Sequence, residues 1–284
     1  MLFTIAIPTF NNAATVSNAI DSAIHQDYKE EYEILIVNNA STDGTAEVLA
    51  QYKCDPKVRV ETNESTVDLF ANHNVCLEKA KGDYVLFIHS DDELLPLALT
   101  ILEEKLQQRH FPTRYIVWGR SMFYDYKIRM SRGQSLNSVF AGESAIYNFM
   151  IAGLTPSGTC YSRKSILEIG GFPQMRTKST PLDWYIMIWA AFNCFEFEMI
   201  DRLLFKRLYS STDNSGGYQR NDTLDMFEIL LPKLNDYQRN YLLKTIWEKA
   251  PSFIIERIII YYPVKKIRRI KILDKIMAVV DRYK

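Results

Sequence analysis

Residues 84 to 93 read Tyr84-Val85-Leu86-Phe87-Ile88-His89-Ser90-Asp91-Asp92-Glu93. Five apolar or aromatic residues run directly into an acidic cluster. The run is short and β-rich, so it predicts a strand buried on both faces. Carboxylates at the end of such a strand lie at the carboxyl edge of a sheet, where open α/β folds hold ligands. Oxygen ligands there suit a hard divalent cation, which in turn can hold a diphosphate. The imidazole of His89 would make Mn²⁺ more acceptable than Mg²⁺. Helix capping is the plainer role for Asp91 and Asp92, since an acid shortly before Leu94 also suits a helix start.

The elements that must position this cluster alternate along the first third of the chain. Phe3 to Pro8 is strand-like, and Val16, Ala19, Ile20, Ala23 and Ile24 then recur at helical spacing. Ile34 to Val37 is a second apolar run. Ser41 to Thr45 is a turn ahead of a helix over 46–52. A short strand at 58–61 and a helix over 66–79, closed by Lys81-Gly82-Asp83, lead to the acidic strand, and a further helix is expected over 94–108. Strand and helix in alternation with short connections imply an α/β fold: a doubly wound, mostly parallel sheet with helices on both faces. Beyond residue 110 the pattern loosens. Strands are expected at 115–118, at 122–126 and within 197–209, and an apolar helix at 183–195. Residues 210–217 are rich in Ser and Gly, and 222–284 read as helical.

Bulk properties narrow the classes. The 284 residues allow one large domain with an appendage, and 47% hydrophobic content is ordinary for a globular chain. Cys54, Cys76, Cys160 and Cys194 lie far apart without a CxxC pair, and read as reduced core residues of an intracellular protein. The first residues lack the pattern of a signal peptide, and no apolar run approaches the ~20 residues of a membrane-spanning helix. The formal net charge is zero, but residues 261–284 carry eight Lys or Arg and two Asp. Val264, Ile267, Ile270, Leu273, Ile276, Met277 and Val280 form one helical stripe beside this basic surface. A basic amphipathic helix suits an anionic membrane surface, so residues 253–284 are expected to meet one. Packing on the body or in a homodimer is the alternative. Nucleic acid is not expected, because the basic residues are confined to a tail.

Several segments in order resemble the family 2 glycosyltransferases of the GT-A fold over residues 3–215. Ile5 to Asn11 (IAIPTFN) is similar to the opening strand and donor loop, Ile36 to Thr45 to the second-strand motif, and Asn74 to Tyr84 to the helix and turn before the metal strand. His89-Ser90-Asp91-Asp92 stands at the DxD-type signature, and Gly170-Gly171-Phe172 matches a turn before the acceptor site. The resemblance implies a GT-A domain over 1–220, with a nucleotide-binding half (1–110) and an acceptor half (111–220), and a helical extension over 221–284. It implies an inverting, metal-dependent transfer from a UDP- or dTDP-linked sugar to a saccharide or lipid-linked acceptor. The implied setting is bacterial O-antigen or capsule synthesis at the cytoplasmic face of the membrane.

Residue by residue, the resemblance places the metal on Asp91, with His89 as a second ligand. Pro8, Thr9, Asn11, Asn38, Asn39, His73, Asn74, His89 and Ser90 fall in donor-binding positions. Asn38 and Asn39 stand where two Asp are usual, and an Asn amide still donates and accepts towards a base edge. His73 stands where an Arg is common; a partly exposed helix position is its plainer reading. Asp183 matches the second acid of an acidic pair whose first member is Leu182 here, which makes it the expected catalytic base. Its plainer role is to cap the helix that follows. Gly171, Arg176, Lys178, Trp184 and Arg207 fall near the acceptor or a lid, with Lys206 and residues 210–217; a solvated loop is the alternative for Arg176 and Lys178. Two other functions remain: a nucleotide-sugar-binding protein without transferase activity, and a nucleotidyltransferase. The second lacks the Gly-rich phosphate loop after the first strand.

Overall fold

The computed structural model describes residues 1–123, 128–129, 137–151, 157–174, 182–207 and 229–249. Its sheet is built from β1 (Phe3–Thr9), β2 (Tyr32–Asn38), β3 (Val58–Thr62), β4 (Tyr84–Phe87), β5 (Asp92–Leu94), β6 (Tyr115–Phe123), β7 (Ile128–Arg129), β8 (Val139–Ala141), β9 (Thr159–Ser162) and β10 (Glu196–Arg207). The spatial order is β3-β2-β1-β4-β9-β6-β10-β5, with β7 against β6 and β8 against β10. Strands β3, β2, β1 and β4 pair in parallel, and β10 is parallel to β6. Strand β9 runs antiparallel between β4 and β6, so β6 and β10 share the direction of β4. The expected doubly wound, mostly parallel sheet is present, with antiparallel strands inserted after β4.

Alternation along each strand explains why both faces are apolar. Ile5 and Ile7 of β1, Ile34 and Ile36 of β2, and Leu86 of β4 fill one core with α1 (Val16–Ile24), α2 (Thr45–Ala50) and α4 (Ala98–Gln108). Ala6, Leu35, Val37, Val85 and Phe87 point the other way. They pack with α3 (Leu69–Lys79), α5 (Gly142–Ile151), α6 (Arg163–Glu168), α7 (Leu182–Phe192) and α8 (Asp236–Lys249). A strand covered on both sides needs no polar face, which is why these segments read as continuous apolar runs. Helix α3 starts on Asp68, whose carboxylate accepts from the Phe70 and Ala71 N–H groups.

Four details differ from the sequence expectations. Residues 92–94 form β5, antiparallel to Leu94's partner Phe205 and its neighbours, and α4 begins only at Ala98 after Pro96. Asp92 therefore caps no helix. The strands expected at 115–118 and 122–126 are joined as far as residue 123 in one strand, β6, because Arg120 and Ser121 stay paired with Leu203 and Phe205 of β10; residues 124–126 lie outside the described residues. Lys206 and Arg207, expected near the acceptor or a lid, end β10 and pair with Glu93 and Asp92 of β5. Cys76 and Cys160 are buried, but Cys54 and Cys194 are exposed. No helix among the described residues is long and apolar enough to cross a membrane. Arg176, Lys178, residues 210–217 and the basic tail 253–284 lie outside the described residues.

Candidate active site

The carboxyl ends of β1, β2 and β4 lie side by side, and the predicted donor residues follow them directly. Thr9 pairs with Asn38 across β1 and β2, and Pro8 with Val37. The Asn39 N–H donates to the Thr9 carbonyl at 2.8 Å, and the Asn63 N–H to the Asn38 carbonyl at 2.9 Å, so three strand ends are tied together. Thr9 is buried, its hydroxyl on the Ile7 carbonyl. Asn11 turns the chain with φ of +52°. Its backbone N–H donates to Ser41 Oγ, and its Oδ1 accepts from the Thr42 N–H. Asp43 joins the same staple through the Ala13 N–H and the Thr45 hydroxyl, and the Thr45 hydroxyl above all holds its carboxyl below the usual range. Phe10, between these polar groups, is 46% exposed.

Asn39 is committed to the fold. Its Oδ1 accepts from the Val67 N–H and from Asn63 Nδ2, and its Nδ2 donates to the Val67 carbonyl at 2.8 Å. Asn63 Nδ2 also donates to Asn72 Oδ1, so three amides form a ladder beneath residues 63–68. Asn38 Oδ1 accepts from the Ser41 N–H. The uncharged amide at position 39 is thus required locally: a carboxylate would face the Val67 carbonyl with no proton to give.

Asn74 is likewise bonded to the turn that contains Gly171. Asn74 Nδ2 donates to the Phe172 carbonyl at 2.8 Å and its Oδ1 accepts the Phe172 N–H at 2.9 Å. Gly171 has φ of +63°, and a Cβ there would stand 2.4 Å from Asn74 Oδ1. The Gly170-Gly171-Phe172 turn is therefore clamped to α3, and Phe172 packs edge-on to Phe87, Tyr161 and His73.

His73 is 0% exposed, not a partly exposed helix residue. The spacing Phe70–His73–Leu77 puts it on the buried face of α3, a signal already present in the sequence. Its Nδ1 lies 2.7 Å from the Leu69 carbonyl, and its ring stacks on Phe87 and meets His89 edge-on at 5.8 Å between centroids. Burial, and then the nearby His89, push its pKa down to about 3, so the ring is neutral.

The acidic cluster follows β4 as a tight turn. The Asp92 N–H donates to the His89 carbonyl at 3.0 Å. Ser90 is buried within it. Ligand-type atoms of His89, Asp91 and Asp92 all lie within 4.8 Å of one another. Ligands on one oxygen-bound cation stand 2.0–2.6 Å from it, so any two are separated by at most about 5 Å. One imidazole and two carboxylates at this spacing fit Mn²⁺ or Mg²⁺.

A family model described as glycosyl transferase family 2 matches residues 4–169, which contain every strand end named above. The chain belongs to glycosyl transferase family 2. An uncharacterized Mycobacterium tuberculosis protein is 30% identical over 186 residues, covering 60% of this chain and 56% of its own. The poly(ribitol-phosphate) β-glucosyltransferase of Bacillus spizizenii is 37% identical over 95 residues, 32% of this chain and 15% of the enzyme. This chain thus spans little more than half of the first relative and a small part of the second. Among solved structures, Staphylococcus aureus TarS 1–349 in complex with UDP-GlcNAc superposes with a TM-score of 0.76 at 17% identity, covering 99% of this chain and 82% of that one. That likeness fixes the GT-A fold.

Within this family fold, Asp183 and Trp184 lie in the first turn of α7, on a different element from the acidic turn; Asp183 is inside the helix rather than ahead of it. Arg207 is opposite Asp92 in the β5–β10 pair. Phe10 lies in the donor-loop segment without a role of its own in the sequence reading, although an aromatic side chain in a polar turn is itself a ligand-facing signal. Ser157 left no sequence signal at all. Its hydroxyl donates to Asp92 Oδ2 at 2.6 Å and accepts the His89 N–H at 3.2 Å.

Proposed function

We propose that this chain is an inverting glycosyltransferase that moves a sugar from a UDP- or dTDP-linked donor to a hydroxyl of a saccharide or lipid-linked acceptor. The observation that carries the reading is the convergence of His89, Asp91 and Asp92 at the carboxyl edge of β4 in a family 2 chain. Asp91, with His89 beside it, would hold a divalent cation. The cation supplies charge neutralisation for the departing diphosphate.

The chain's own groups divide the remaining work. Thr9, Asn11 and Asn38 shape the β1 and β2 ends that border the donor, and the exposed Phe10 ring offers the base a face to stack on, a contact worth about 1–3 kcal/mol per base. Asn39, Asn63 and Asn72 hold the β2 end against the segment that precedes α3. Asp183 on α7 takes the proton of the acceptor hydroxyl as its oxygen attacks the anomeric carbon. The new glycosidic bond forms on the face opposite the departing nucleoside diphosphate, which gives inversion.

A role in bacterial surface-polysaccharide assembly fits the activities after which several relatives are named, and we place it at the cytoplasmic face. Among these is a Campylobacter jejuni enzyme named as a glucosyltransferase on an undecaprenol-linked saccharide, 33% identical over 106 residues. The basic stripe in 253–284 supplies charge for an anionic membrane surface.

A thermal-shift screen of nucleotide sugars with and without Mn²⁺ tests the reading. A donor that stabilises the chain only with Mn²⁺ supports it, and a shift independent of metal removes the Asp91 assignment. Donor binding with neither transfer nor donor hydrolysis would make the chain a binding protein.

A further inference from the structure

The acidic turn is held in shape by a residue from across the sheet. Ser157 precedes β9 and is 3% exposed. Its single hydroxyl uses both its proton and a lone pair on the turn: it donates to the Asp92 carboxylate and accepts from the His89 backbone. The two ends of the His89–Asp92 turn are therefore tied to one atom, in addition to their own backbone bond. Gly158 fixes where that atom sits. Its N–H donates to the Phe87 carbonyl at 2.7 Å. Its φ is +72°, and a Cβ there would stand 2.1 Å from the Phe205 ring. The backbone beside Ser157 is thus wedged between β4 and β10.

We propose that Ser157 is a positioning residue: it orients the Asp92 carboxylate and the His89 end of the turn so that His89, Asp91 and Asp92 converge on one divalent cation. A carboxylate held through one oxygen has the direction of its other oxygen fixed as well, and a turn pinned at both ends cannot spread its ligands. Partners of this kind typically contribute 10–100-fold to metal affinity. The inference rests on the metal reading above.

The test uses the full chain, stripped of metal, with Mn²⁺ alone as probe, its binding followed by loss of the free-ion electron paramagnetic resonance signal. Wild type, Ser157→Ala, Asp92→Asn and the double variant are compared, with thermal unfolding to show that each is folded. Ser157→Cys, close in volume but a much weaker donor, serves if the alanine variant does not fold. Ser157→Ala or Ser157→Cys should weaken Mn²⁺ binding about 10-fold. The alanine change should cost clearly less once Asp92 is already Asn, because much of Ser157's effect passes through that carboxylate and only the remainder through the His89 N–H. A merely structural hydroxyl would lower the unfolding temperature and leave Mn²⁺ affinity within twofold of wild type; that result overturns the proposal, as does full additivity with Asp92→Asn. A wild-type chain that binds no Mn²⁺, or binds it unchanged after Asp91→Asn, overturns the metal reading itself and this one with it.

Discussion

Replacing Asn74 by Ala separates a structural amide from a donor-binding one. Its carboxamide makes two hydrogen bonds to the Phe172 backbone, at 2.8 and 2.9 Å, across 98 residues of sequence. Each such bond is worth about 0.5–1.5 kcal/mol net, and a buried backbone group left without a partner costs about 1–3 kcal/mol. Phe172 is buried against Phe87 and Tyr161, so water cannot readily replace the lost partners. The expected loss is about 2–3 kcal/mol. For a chain of this size 1 kcal/mol moves the midpoint by about 2–4 °C, which gives a fall of about 4–12 °C. Asn74→Asp should fall at least as far, because a carboxylate oxygen would then face the Phe172 carbonyl. Thermal unfolding followed by circular dichroism, with and without UDP and Mn²⁺, reads both effects. The midpoint should drop while the increment given by UDP and Mn²⁺ persists. A midpoint within about 1 °C of wild type together with a lost UDP increment would refute the structural role.

Three other outcomes follow from the same geometry. Asn39→Asp installs the residue usual for the resembled motif, yet it should destabilise the chain by about 1–3 kcal/mol, because the bond from Nδ2 to the Val67 carbonyl is lost in a buried site; urea unfolding with an unshifted midpoint would contradict this. Asp183→Asn should keep UDP binding while transfer falls by about 10²–10⁴-fold, and near-normal turnover would remove Asp183 as the base. Deletion of residues 253–284 should abolish salt-sensitive binding to anionic vesicles, and unchanged vesicle binding would end the membrane reading.

The parallel half of the fold was legible because its information is local. Phe3 to Pro8, Ile34 to Val37 and Tyr84 to Ile88 are apolar on both faces, and short connections fix their neighbours. Strand β5 was not legible: three residues pair with partners 111 to 115 residues further on, and a segment ending in Leu-Leu-Pro resembles a helix start. The acidic turn stood out by residue type alone. What the amides do did not, since an Asn that reads a base and an Asn that ties a loop look identical in a sequence. Asn39 and Asn74 each tie a loop by their bonds. Ser157 depends on contacts 65 and 68 residues away in sequence, which no spacing rule reports.

The central claim is that the turn at 89–92 holds the cation that releases a nucleoside diphosphate from a sugar donor. Release of UDP or dTDP from the donor found in the thermal-shift screen, measured with Mn²⁺ for wild type and Asp91→Asn, tests it most directly. The account predicts release by wild type that EDTA abolishes and Mn²⁺ restores, and none above background in Asp91→Asn. Release that resists EDTA, or that Asp91→Asn retains, would contradict it.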